Sequence, residues 1–188
     1  GTARLGTEFG DLAGRRDLRP EIAQRLVIGG IPGSPTPLAV GLMARSAGPT
    51  GIVYGQNPAD LGARAKERYE ERAKTLAMKT VVTLVRPFDD PLPAEVRDLD
   101  LITFFFYYHD TTYMQVDRAL MNRKLFAALK PGASLVITDH SAKSGEGISV
   151  ARTLHRIEEV ALRREVEAAG FKVVAEGNFL RQPGDARD

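Results

Sequence analysis

The chain has 188 residues, 43% hydrophobic and 27% charged, ordinary proportions for one globular domain able to bury a core. Its formal net charge of +2 is too small to argue for a nucleic-acid partner, even at a calculated pI of about 9.0. Cysteine is absent, which excludes disulfides and thiolate chemistry, and no apolar run approaches the roughly 20 residues of a membrane span.

Residues 1–20 mix Gly, Arg and Asp without period and read as an arm or loose helix ahead of a domain over 21–188. They show no signal-peptide hydrophobic core, so the expected location is cytoplasmic. Arg25–Gly30 is a first strand running into a Gly/Pro-rich turn over 29–37, followed by a helix over Leu38–Ala47. Ile52–Tyr54 is a second strand, closed by Gly55-Gln56-Asn57-Pro58. Residues 59–78 carry Glu, Lys and Arg at helical spacing and read as a helix with a solvated face. Thr80–Val85 and the almost wholly apolar Leu99–Tyr108 are the third and fourth strands.

A helix over Tyr113–Leu129 stops at Pro131-Gly132, and the short run Leu135-Val136-Ile137 forms the centre of a fifth strand, Ser134–Thr138. A final helix over Thr153–Ala169 ends at Gly170, and Phe171–Ala175 is the sixth strand. Strands alternating with helices predict a doubly wound α/β domain with a mostly parallel sheet and helices on both faces. In such sheets ligands bind at the carboxyl ends of the strands. His109, Asp110, Asp139 and His140 follow the fourth and fifth strands, and are therefore candidate site residues, with His155 near the start of the last helix.

The helix–Leu129-Lys130-Pro131-Gly132–strand pattern resembles the segment before the fifth strand of the class I S-adenosylmethionine-dependent methyltransferases. Within that superfamily the closest resemblance is to bacterial predicted methyltransferases carrying three motifs present here. These are Tyr108-His109-Asp110, Asp139-His140-Ser141-Ala142 and Thr153-Leu154-His155-Arg156-Ile157. The resemblance implies a Rossmann-like fold and S-adenosylmethionine as cofactor. The expected acceptor is a small molecule, charge and hydropathy give no nucleic-acid or membrane partner, and a homodimer is left open.

It also implies cofactor contacts from the first turn through Gly29, Gly30 and Gly33, although Val27 stands at that loop's acid position and Ile31 at its middle glycine. Gln56 and Asn57 replace the acid that grips the ribose, where amides can still donate and accept. Phe88, Asp89 and Asp90 stand in the adenine-recognition segment, and Tyr108 ends its strand where it can reach the crevice. Gln56-Asn57 and Asp89-Asp90 can equally serve as cap and turn residues.

Three readings of the histidines stay open at this point. One is a general base oriented by a carboxylate, drawn from His109, Asp110, Asp139, His140 and His155. The second is a Zn²⁺ or Fe²⁺ site on His109, His140 and Asp139, and the third is loop structure alone. Sequence spacing by itself assigns no metal ligands, because the three histidines lie far apart in the chain. Val27 and Ile31 motivate an alternative in which the domain is a non-catalytic binding or scaffold module; a metal-dependent enzyme on the same fold is another. The sequence argues against a nicotinamide dehydrogenase, since no Gly-x-Gly-x-x-Gly turn and no acid after the second strand are present. The fold usually closes with an antiparallel seventh strand hairpinned to the sixth, and no such strand is legible after residue 176. Either the chain is incomplete or the sheet edge is finished differently.

Overall fold

The apolar runs of the sequence become strands Thr2–Leu5 (β1), Gln24–Ile28 (β2), Ile52–Asn57 (β3), Val81–Val85 (β4), Leu99–Phe105 (β5), Leu129–Thr138 (β6) and Val173–Glu176 (β7). Helices Thr36–Ala47 (α1), Ala63–Ala73 (α2), Arg118–Ala128 (α3), Ala151–Leu154 (α4) and Glu159–Ala168 (α5) connect and cover them. The computed structural model describes residues 2–5, 24–28, 36–59 and 62–188.

The strands form one sheet in the order β4-β3-β2-β5-β6-β1-β7, and all its pairings are parallel. Within the stretch expected as an arm, Thr2–Leu5 is a strand laid between β6 and β7, with Thr2 opposite Ser134 and Ala3 opposite Val173. No antiparallel strand follows β7 among the described residues. The strand order reverses direction between β2 and β5, so their carboxyl ends define the switch point at which open α/β sheets bind ligands.

Both faces of the sheet are covered. On one, Ile102, Phe104, Leu135 and Ile137 pack with Met121 and Leu125 of α3 and Leu162 and Val166 of α5. On the other, Val53 and Leu101 pack with Val40, Met43 and Ala44 of α1 and Tyr69 of α2. Tyr69 hydrogen-bonds Thr83 Oγ1 at 3.0 Å, and a Cβ on Gly55 would lie 2.8 Å from its hydroxyl, so a side chain at that strand position would displace the Tyr69 hydroxyl.

The β4–β5 connection, residues 86–98, contains no helix, because Pro87, Pro91 and Pro93 interrupt any helical hydrogen-bond ladder. Two expectations are corrected. Helix α3 starts at Arg118 rather than Tyr113, since Asp117 accepts the Leu120 amide at 2.8 Å and caps it there. Before it, Thr111 and Thr112 hydroxyls donate back to the Tyr108 and His109 carbonyls, holding a 3₁₀ turn over His109–Thr112. The expected single helix over Thr153–Ala169 is broken into α4 and α5. His155 takes a left-handed conformation, φ 53°, and the Ile157 amide donates to the His140 carbonyl. Pro131 and Gly132 bulge out within β6, which pairs Leu129 with Leu99 and then Ser134 with Leu101.

Candidate functional site

Polar residues follow both β5 and β6, and the pairing of the two strands brings them together. His109 Nδ1 lies 2.6 Å from Asp139 Oδ1, and the His109 amide donates to Asp139 Oδ2 at 2.8 Å. The other ring nitrogen, Nε2, lies 3.1 Å from Asp110 Oδ1. The same Asp110 oxygen lies 3.0 Å from His155 Nδ1 and accepts the Tyr113 hydroxyl. The break between α4 and α5 places His155 there: its left-handed backbone turns the ring back toward the β5 end. The side chains of His109 and Asp139 are 3% and 5% exposed, whereas that of His155 is 61% exposed, so a buried chain of hydrogen bonds opens to solvent at His155.

The electrostatics follow from that wiring. Burial opposes a charge on His109, but hydrogen bonds and negative charge from Asp110 and Asp139 outweigh it, raising its pKa from 6.5 to about 9. Burial likewise opposes a charge on Asp110. Hydrogen bonds from His109 and Tyr113 overcome it and hold the carboxyl below its usual 3.8. The Tyr113 hydroxyl is pushed up, by burial first and then by the Asp110 carboxylate it donates to.

His140 is exposed, its ring centroid 5.3 Å from Phe106 and 6.1 Å from His109, and its amide donates to Asp139 Oδ1 at 2.8 Å. Asp139 and His140 line a cavity of about 490 Å³ with Phe106, Ser141, Arg156 and Ile157. Arg156 forms a two-pronged ion pair with Asp185 at 2.9 Å on each arm and donates to the Ser141 carbonyl at 3.1 Å. The loop that follows is tied down rather than loose. Glu158 accepts the amides of Gly145 and Gly147 at 2.9 and 2.8 Å, and Glu146 accepts that of Lys143 at 2.7 Å.

The cofactor-side expectations divide. Gly29, Gly30 and Gly33 lie outside the described residues. Gln56 is fully buried at the carboxyl end of β3: its Nε2 donates to the Arg86 carbonyl, while Oε1 has no partner among the described residues. A buried acceptor without a donor fits a ligand hydroxyl. Asn57, 5% exposed, hydrogen-bonds Tyr69. Tyr108 does not reach the crevice. It is fully buried, donating to Glu165 Oε2 at 2.8 Å and accepting from Asn122 Nδ2 at 2.7 Å, because the backbone turns into the 3₁₀ segment at that residue.

Phe88 is 2% exposed with its ring 5.0 Å from that of Tyr107, so it packs in the core instead of facing a ligand. Asp90 is engaged by Arg86 and Lys124, which lowers its pKa, the Lys124 hydrogen bond most, and fastens residues 86–98 to α3. Asp89 stays half-buried beside it, with no partner among the described residues. Sequence reasoning missed Tyr113, whose signal is its position three residues after Asp110 across a 3₁₀ turn.

No family model matches the chain, and no curated protein matches it. Among solved structures it resembles one described as a sarcosine dimethylglycine methyltransferase from Galdieria sulphuraria. The TM-score is 0.54 at 16% identity, over 79% of this chain and 54% of that one. It also resembles the [4+2]-cyclase SpnF, with TM-score 0.57 and 17% identity over 85% of this chain and 54% of that one. The chain spans about half the length of these structures. The fold is the Rossmann-like α/β fold of the class I methyltransferases. Among the described residues no helix is long and apolar enough to cross a membrane.

Proposed function

We propose that this domain carries out S-adenosylmethionine-dependent methyl transfer to a small-molecule acceptor, with His140 taking up the acceptor's proton. The observation that carries the assignment is the position of His140. It is exposed in the cavity at the β6 end, next to a His109 whose two ring nitrogens already face Asp139 and Asp110. An imidazole with both nitrogens engaged has no lone pair to offer a substrate, and His140 has. Asp139 takes the positioning role, since it fixes the His109 ring and the His140 backbone together.

When bound, S-adenosylmethionine supplies an electrophilic methyl group. Gln56, whose Oε1 has no partner among the described residues, and Asp89 would hold it, together with Gly29, Gly30 and Gly33. Support comes from the fold, from the placement of the site at the carboxyl ends of the strands and from the methyltransferase name given to the Galdieria structure. A second reading, another chemistry or none on this fold, is favoured by Val27 and Ile31 at the acid and middle-glycine positions of the expected cofactor motif and by a cyclase among the structural neighbours.

Calorimetric titration with S-adenosylmethionine and S-adenosylhomocysteine separates the two. Micromolar binding is expected, and no heat at millimolar ligand would reject methyl transfer by this chain. Once an acceptor is found, His140→Ala is expected to lower the rate roughly 10²–10⁴-fold with cofactor affinity unchanged, as loss of a general base does. An unchanged rate would remove His140 from the chemistry.

A further inference from the structure

We infer that His109, Asp110 and His155 form a binding site for one divalent transition-metal ion. This goes beyond the methyl-transfer reading and stands without it. One ligand atom from each of the three residues lies within 4.8 Å of the other two, and no other group of His, Cys, Asp or Glu among the described residues is gathered in this way. The trio differs from the one the sequence suggested. His140 and Asp139 are not in it, because the His155 turn brings a more favourably placed nitrogen to Asp110.

The donor geometry suits a metal. A cation about 2.0–2.1 Å from its ligands holds neighbouring ligands about 2.9 Å apart at an octahedral angle and about 3.4 Å apart at a tetrahedral one. Asp110 Oδ1 is 3.1 Å from His109 Nε2 and 3.0 Å from His155 Nδ1. Three donors, from His109, His155 and Tyr113, converge on that one oxygen. A cation there replaces the two protons shared with the imidazoles, leaving the Tyr113 hydroxyl as a hydrogen-bond donor to the ligating carboxylate.

The surroundings also match those of metal-bound histidines. His109 turns its other nitrogen, Nδ1, to the buried Asp139 at 2.6 Å, the carboxylate–imidazole pairing that fixes a ligating ring and raises its basicity. Two of the ligands are buried and the third, His155, faces solvent, so the outward coordination positions are open to water. Two imidazoles and one carboxylate select Zn²⁺ or Fe²⁺ over Mg²⁺ or Ca²⁺, which prefer all-oxygen shells.

The test is Co²⁺ titration of the purified full chain, read by visible ligand-field absorption, with equilibrium dialysis against Zn²⁺ in parallel. One equivalent is expected to bind. His155→Ala, a change at an exposed side chain, is expected to weaken binding at least tenfold with circular dichroism unchanged, and Asp110→Asn to weaken it further. His140→Ala is expected to bind as the parent does. No uptake by the parent would overturn the site, as would His155→Ala binding with parental affinity or His140→Ala losing the metal. None of these readouts requires an acceptor or a bound cofactor.

Discussion

Tyr108 shows how one hydroxyl ties three segments together. It sits fully buried between Glu165 of α5 and Asn122 of α3, and Arg118 completes the set by pairing with both Glu165 oxygens at 2.8 and 2.9 Å. Burial first, and the neighbouring Glu165 charge second, push the Tyr108 pKa far up, so the phenol stays protonated and donates. Tyr108→Phe keeps the ring against Phe104, at 5.5 Å, but leaves a buried amide and a carboxylate short of a partner. It is expected to cost about 1–3 kcal/mol, measured by urea denaturation. A loss below a few tenths of a kcal/mol would show that water replaces the hydroxyl. From sequence, Tyr108 at a strand's polar end pointed outward, because period-two alternation holds only while the strand lasts. The strand stops at Phe105, and Phe106 enters a left-handed conformation, φ 55°, so the alternation no longer predicts a side.

At the scale of elements, breaks rather than runs decide the site. The apolar periods of β5, β6, α3 and α5 were plain in the sequence, and their order placed His109 and Asp139 at neighbouring strand ends. What periodicity did not carry was the interruption at His155, where a backbone conformation rare for a side-chain-bearing residue separates α4 from α5. No glycine or proline marks it. Helix α5 ends in the ordinary way, at Gly170 with φ 102°, where a Cβ would lie 3.2 Å from the Phe126 ring. Gly170→Ala is therefore expected to destabilise by about 1–2 kcal/mol through strained backbone alone, more if Phe126 cannot shift. Thermal unfolding of the two proteins measures it, and an equal Tm would show that the helix end re-forms elsewhere.

For the whole molecule, the carboxylates give stability an acid-side slope. Asp90, Glu158, Glu165 and Asp185 each have a pKa held below the ordinary values of 3.8 for Asp and 4.5 for Glu. For Glu165, burial pulls the other way and the Arg118 and Tyr108 hydrogen bonds prevail; for Glu158 the Gly145 and Gly147 amides do so. The unfolded chain then binds more protons in acid than the native one. Their contribution is present above about pH 4.5 and is lost as pH falls through the lower native values. Melting temperature is expected to rise slightly from pH 7 to 5, because native His109 already holds a proton that the unfolded chain takes up only below about 6.5, and to drop below pH 5; Glu165→Gln is expected to flatten part of that drop. A slope unchanged in Glu165→Gln would assign the acid sensitivity to other groups.

The sheet order carries one more consequence, for the timing of folding. β1 precedes the other described strands along the chain, yet its two neighbours, β6 and β7, lie well over a hundred residues further on. The half of the sheet from β4 to β5 can assemble from nearer contacts, while β1 has no edge to join until β6 has been made. Closing such long loops is slow, and until it happens β6 presents an unpaired edge directly beside the strand end that holds Asp139 and His140. The last pairings to form are thus the ones that seal the flank of the site.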